Sequence, residues 1–403
     1  MSAPRRPDGL AIGATGVGLA LLAIGLAVDP TRAWFAYLDA WIFGVTLAIG
    51  ALIVTLVGQA SKAGWMVVVR RPMEAVAGSL PLFAILFVPI AFGLGHLYPW
   101  AAAHPPESAV AGHKALWLSK PFFLARTAVY FAILSFFALR IRGMSRANDV
   151  RPSAALVRGM RRLGGGGIPV VGLVLSFASF DWSMSLQPDW SSTMFGIYFF
   201  AGAFVGAIAL ACVLASTIPL AGPGRPDASS TPGERLERRS TNGSLPSPDH
   251  AQALGRLLFA MVIFWAYVSF GQLIVYWMGD EPEEVSFFLR RTTGSWAAVT
   301  WVLVFGHFVL PFFGLLNRPL KRRLATLRVA GAWMLAMHYL DVYWQVLPVH
   351  DAAGARPHWL DLGALLFVAG LATAWVARAY RAAPPLPANV PELDEGLAYE
   401  AAV

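Results

Sequence analysis

The chain has 403 residues, of which 57% are hydrophobic and only 13% charged, with a formal net charge of +8. A soluble chain of this length needs far more charge to cover its surface, so the composition excludes an ordinary soluble globular protein and leaves a lipid-embedded one. The single cysteine, Cys212, excludes an internal disulfide, an iron–sulfur cluster or a structural zinc built by this chain alone, so any redox metal belongs to a partner.

A helix crosses the hydrocarbon core with roughly 20 apolar residues. In chain order the sequence predicts ten such spans, at 9–28, 37–58, 78–97, 122–140, 167–187, 194–220, 252–278, 295–316, 326–347 and 359–380. Arg5 and Arg6 before the first run give it the look of a signal peptide, but no cleavage site follows, and the reading is a retained first helix. The Gly164–Gly167 run before the fifth span lacks the Lys and spacing of a phosphate loop and is expected to be a hinge. Residues 221–250 are rich in Pro, Gly, Ser and charge and read as a flexible linker. Pro89, Pro219 and Pro311 lie inside spans, where membrane helices tolerate them. Pro311 cannot donate to the carbonyl of His307, and a free carbonyl beside a histidine in the membrane is a natural place for water or a ligand. Residues 382–403 read as an extended tail that could lie along a neighbouring protein.

The basic residues are sorted by side. The N-terminus, the loops after spans two, four, six and eight with their adjoining helix ends, and the C-terminus hold 24 of the 31 Lys and Arg residues. That distribution reads as a topology signal rather than a nucleic-acid surface, and places both termini in the cytoplasm, which agrees with an even span count. The opposite loops carry acid, including Asp280, Glu281, Glu283 and Glu284.

The fifth span ends DWSMSLQP (Asp181–Pro188) and the ninth ends DVYWQVLP (Asp341–Pro348), each with an Asp seven residues before a Pro. Four spans separate the copies, so they share one orientation and suggest parallel four-helix repeats, spans two to five and six to nine, with spans one and ten outside. The expected organisation is a first helix with its flank at 1–36, one bundle at 37–190, a second at 191–350 containing the linker, and a last helix with its tail at 351–403.

Ionisable side chains inside a bilayer are costly and normally face a bundle interior. At about 1.5 Å of rise per residue, Asp181 and Asp341 lie roughly 21 and 22 Å from the cytoplasmic side. Gln272 and Arg126 also fall in the outer part, and His307 near the midplane. His338, Asp341 and Gln345 are spaced i, i+3, i+7 on one helical face. A His–Asp pair one turn apart can pass a proton, which suits a proton path or a site that takes protons from a hydroquinone. Bland readings stand beside this one: His307 as a helix–helix hydrogen bond, Asp181 as a cap or an arginine's partner, and His96, His104 and His113 as solvated groups. Glu74 reads as an ion pair with Arg70 and Arg71. Only His307 and His338 are deep enough to ligate a haem, which allows one at most.

The segments FASFDWSMSLQPDWSSTMFGIYFFAG (177–202), LFAMVIFWAYVSFGQLIVYW (258–277), PEE (282–284), HFVLPF (307–312) and HYLDVYW (338–344) together resemble the ActF-type membrane subunit of bacterial alternative complex III, a quinol:cytochrome c oxidoreductase. That subunit belongs to the wider NrfD or polysulfide-reductase membrane-subunit group, and the resemblance covers roughly residues 75–350. It implies an all-α integral membrane fold with two four-helix bundles and two flanking helices, in the bacterial inner membrane. It also implies a sister NrfD-like subunit, a periplasmic iron–sulfur subunit and c-type cytochromes as partners, so that clusters and haems lie outside this chain. Quinol or menaquinol would be oxidised near the outer face, beside a proton route. The matching positions are Asp181, Gln272, His307, His338, Asp341 and Tyr343. On this reading Asp341, His338, His307 and Asp181 relay protons, while Gln272, Tyr343 and Arg126 position water or a quinone head group. A scaffold subunit without chemistry of its own and, more remotely, a secondary transporter are the rival expectations.

Overall fold

The computed structural model describes residues 7–107, 114–217, 246–279 and 282–401. Arg5, Arg6, His113, Asp280, Glu281 and most of the expected linker (221–245) lie outside the described residues. The described chain is helical and contains no strand. Ten long helices carry it: α1 (Pro7–Val28), α2 (Pro30–Ser61), α3 (Gly64–Leu97), α4 (Lys120–Val150), α5 (Ala154–Trp182), α6 (Phe195–Thr217), α7 (Pro248–Gly279), α8 (Gly294–Leu316), α9 (Leu324–Val346) and α10 (Trp359–Arg381).

Nine of these, all but α9, are long and apolar enough to cross a membrane. The remaining expected span, the ninth, is α9, 23 residues and so roughly 34 Å long. Its Arg328, His338, Asp341 and Gln345 dilute its apolarity below that of the others. The polarity of the molecule is inverted relative to a soluble protein. Phe92, Tyr267 and Trp277 are more than 70% exposed, whereas Asp39, Asp181 and His307 are fully buried. That is the pattern of a multi-pass membrane protein, in which lipid faces the apolar surface and the bundle interior holds the charges.

The packing is cyclic in two places. Helix α2 touches α3, α3 touches α4, α4 touches α5, and α5 returns to α2. Likewise α6 touches α7, α7 touches α8, α8 touches α9, and α9 returns to α6. Helices α2 and α6 pack on each other at the centre, and α1 and α10 pair alongside α2. The Gly164–Gly167 run is not a hinge: it lies inside continuous α5. A Cβ on Gly164 would stand 2.8 Å from the Leu56 carbonyl oxygen, so the glycines let α5 approach α2 closely. Around Pro311 the α8 chain widens into a π-helical stretch, Val304–Val309, that carries His307.

The tail lies on its own chain. The Asn148 side-chain amide donates to the Asn389 carbonyl at 2.8 Å, Arg161 pairs with Glu392, and His250 Nε2 meets the Gly396 carbonyl at 2.8 Å. These contacts gather at the arginine-rich end, where Glu74 holds Arg70 at 3.0 Å and Arg71 at 2.9 Å.

Candidate functional site

Near the opposite, arginine-poor end the second ring of helices encloses Asp341, 1% exposed. Tyr198 of α6 donates its hydroxyl to Asp341 Oδ1, while Trp265 Nε1 of α7 and Gln345 Nε2 of α9 donate to Oδ2 at 3.4 and 3.3 Å. All three donors are neutral, so Asp341 can change charge without breaking an ion pair. The Trp265 ring stacks on His307 with centroids 3.8 Å apart, and neither His307 nitrogen has a hydrogen-bond partner. The site therefore joins α6, α7, α8 and α9 around one carboxyl.

His338, one turn below Asp341, turns toward α2. Its Nε2 lies 3.0 Å from Thr46 Oγ1, and that hydroxyl donates to the Phe43 carbonyl at 2.8 Å. A hydroxyl has one proton, so Thr46 accepts from His338 Nε2–H and leaves Nδ1 as a lone-pair acceptor. His338 Nδ1 has no partner. Glycines make this placement feasible: a Cβ on Gly206 would stand 2.7 Å from His338 Cδ2, and one on Gly202 would border both Asp341 Oδ2 and His338 Cε1 at 3.4 Å.

Between α7 and α8 runs a cleft of about 550 Å³, lined by Tyr198, Trp265, Gln272, Phe287, Thr300 and Trp344 among others, mostly with apolar and aromatic surface. Gln272 donates to Ser192 Oγ at 3.3 Å. The short helix Pro282–Thr292 adds Phe287, Phe288 and Thr292 to the cleft wall and is fixed by Arg291. That guanidinium donates to the carbonyls of Trp344 (2.9 Å), Gln345 (2.7 Å) and Phe287 (2.9 Å), and lies 3.5 Å over the Phe287 ring. Burial pushes Arg291 down to about 9, which leaves it cationic at neutral pH.

The other expected residues sit apart from this group. Asp181 of α5 is bound in a fork by Arg126 of α4 at 2.8 and 2.7 Å, and also accepts from Tyr130 at 2.8 Å and Trp117 at 3.1 Å. None of its hydrogen bonds reaches His307, His338 or Asp341. Tyr343 points away from Asp341 and donates to the Arg356 carbonyl at 3.2 Å. His96 stacks against Trp34.

Tyr198, Trp265 and Thr46 complete the Asp341 and His338 environments and were not among the expected site residues. Each comes from a helix other than α9, so no local spacing marks it. Asp39 was also overlooked, because the second span was read as starting at 37, whereas α2 starts at Pro30 and buries it. No protein-family model matches this chain, and no curated protein does.

Proposed function

We propose that this chain is a membrane subunit of a quinol:electron-acceptor oxidoreductase, with two four-helix bundles (α2–α5 and α6–α9) flanked by α1 and α10. On this reading the arginine-poor end faces the periplasm. The observation that carries it is a buried carboxyl without a counter-ion, Asp341, separated by one hydroxyl, that of Tyr198, from a 550 Å³ apolar cleft.

The cleft suits a quinol in kind: apolar walls for an isoprenoid chain, a few polar groups for a ring oxygen, and an opening between two membrane helices. As a quinol hydroxyl is oxidised, its proton passes to the Tyr198 oxygen while the Tyr198 proton moves to Asp341, and the electrons leave for a redox partner. Geometry for general-base work requires hydrogen-bond reach, which the Tyr198–Asp341 pair already has. His338 Nδ1 is the next acceptor, its tautomer fixed by Thr46. His307, stacked on Trp265, borders the same group. Iron–sulfur clusters and c-type haems belong to the partners that this reading requires.

Asp341→Asn is expected to cut quinol-dependent reduction of the acceptor while the complex still assembles. Normal turnover and normal proton release in that variant would overturn the proposal. Gentle purification followed by a haem stain separates it from a transporter, which would come out alone. A scaffold role is favoured for one part of the chain, the Arg126–Asp181 pair, whose carboxylate is saturated with donors.

A further inference from the structure

Asp39 is a buried carboxyl that the proposed quinol site does not use. It lies on the third turn of α2, is 0% exposed, and neither carboxyl oxygen has a hydrogen-bond partner apart from the Tyr339 hydroxyl. The Tyr339 hydroxyl of α9 faces it and is itself buried, with no other partner. Buried polar atoms are nearly always satisfied, so a facing pair with no other partner marks a place that an exchangeable proton or a bridging water completes.

The groups around Asp39 point the same way. From α2 itself comes Arg32, from α10 Asp361, and from α9 Tyr339 and Tyr343. Arg32 is already engaged: it donates to Asp361 at 2.6 Å and lies 3.7 Å from Asp351. His350 stands 3.9 Å from Asp351, and His358 caps α10 at Asp361. Arg32 thus binds Asp361 and approaches Asp351, while Asp39, the deepest of the three carboxyls, forms no ion pair with it. Outward, Arg32 carries the group to Asp361 and to Asp351, whose side chain is 20% exposed, and Tyr343 lies within electrostatic range of all of them. Inward, Asp39, Phe43 and Thr46 follow i, i+4, i+7 on one face of α2. The Phe43 ring touches both His338 (5.6 Å) and Tyr339 (5.4 Å), and Thr46 holds His338.

We propose that Asp39 is a second proton-exchanging site, open to the arginine-poor surface through Tyr339 and the Arg32–Asp361–Asp351 group. Its step is a simple one: a proton from water at that surface adds to the carboxylate, and the same proton returns. Asp39 can accept it because it holds no ion pair that protonation would break, and a protonated carboxyl can still accept from Tyr339. Phe43 separates it from His338, so the two carboxyls, Asp39 and Asp341, are distinct stations along α2 and α9. The inference rests on the proposed quinol reading only for a source of protons from the His338 side. Exchange with the surface stands without it.

The test is infrared spectroscopy of the full chain in membranes, with pH stepped and water replaced by deuterium oxide. The wild type is expected to show a carboxyl C=O band that titrates and shifts in deuterium oxide, is lost in Asp39→Asn, and persists in Asp341→Asn. Tyr339→Phe should keep the band and slow its deuterium exchange several-fold. A lipid-soluble carbodiimide on the unmutated protein gives a readout that does not depend on any variant folding: an adduct is expected on the Asp39 peptide, more at low pH. An unchanged band set in Asp39→Asn, a band blind to deuterium oxide, or no adduct at any pH would each overturn the proposal. If Asp341→Asn turns over quinol normally while the Asp39 band behaves as described, the quinol reading falls and this one survives.

Discussion

Asp181 and Asp341 occupy matching places in the DWSMSLQP and DVYWQVLP segments, and both are buried. Asp181 faces a guanidinium and two further donors, whereas Asp341 faces only neutral donors. Removing one partner of a buried ion pair leaves an uncompensated charge and typically costs about 3–5 kcal/mol, while replacing both with apolar groups of similar size is often close to neutral. Arg126→Met or Asp181→Asn should therefore lower the melting temperature of the detergent-solubilised protein markedly, with Arg126→Met/Asp181→Leu recovering most of the loss. Asp341→Asn keeps an oxygen for Tyr198 but turns an amide NH2 toward Trp265 Nε1 and Gln345 Nε2, whose bonds are already long at 3.4 and 3.3 Å, and should cost about 1–3 kcal/mol. Equal destabilisation by Asp341→Asn would mean that Asp341 also holds an ion pair. The sequence displays the His338–Asp341 spacing because both residues lie on one helix. It cannot display Tyr198, Trp265 or Thr46, which tertiary packing brings to them from elsewhere. Asp39 is hidden for another reason: it sits near the edge of an apolar run, where an acid reads as an interfacial residue until the helix is seen to begin nine residues earlier.

At the scale of the helix, the span positions are legible because lipid imposes a length and a composition on each segment. The ends are less so: α2, α4, α5 and α7 extend beyond their apolar cores, since the flanking turns are stabilised by other helices rather than by lipid. The glycines show the same limit. A run of four reads as a hinge in isolation, but in the fold Gly164 is a contact surface. On α6 the spacing Gly202–Gly206 admits the side chains of α9, and the two positions differ in tolerance. Gly206→Ala puts a methyl 2.7 Å from the His338 ring and 2.9 Å from Leu47 Cδ2, and overpacking of this kind costs about 1–3 kcal/mol. Gly202→Ala meets its neighbours at 3.4 Å and should fold nearly as well as the wild type. Thermal denaturation of the pair should separate them, and equal melting temperatures would contradict this packing. The helix Pro282–Thr292 depends on a different device. Arg291→Lys replaces a planar fork with a point charge and loses most of its carbonyl bonds, a cost on the order of 2 kcal/mol. Hydrogen exchange should then quicken in that helix and along the cleft, without change in α4 or α5.

Taken whole, the molecule has its chemistry and its fastening at opposite ends. The Asp341 and Asp39 groups lie toward the arginine-poor end, and the arginine-rich end is tied by ion pairs and by the tail. A tail rich in Pro and acid reads from sequence as a partner-binding strand, and no rule of composition says that the partner is the chain's own surface. The contacts do: Asn389 reaches Asn148 and Asp149 at the end of α4, Glu392 reaches Arg161 of α5, and Gly396 reaches His250 at the start of α7. The tail thus bridges elements of both rings, beside the direct contacts that α2, α3 and α5 make with α6. The Arg161–Glu392 pair is partly exposed and contributes little by itself. The bonds to Asn148 and His250 are part-buried or buried, and each contributes about 1 kcal/mol. Deleting residues 386–403 should therefore lower the melting temperature, and should speed hydrogen exchange at the start of α7 and the end of α4. The Tyr198–Asp341 site lies a helix length away and should be unaffected. If exchange at the arginine-rich end stays the same after the deletion, the tail does not hold the two rings together, and their register is set by the helix contacts of α2, α3 and α5 with α6 and of α2 with α9.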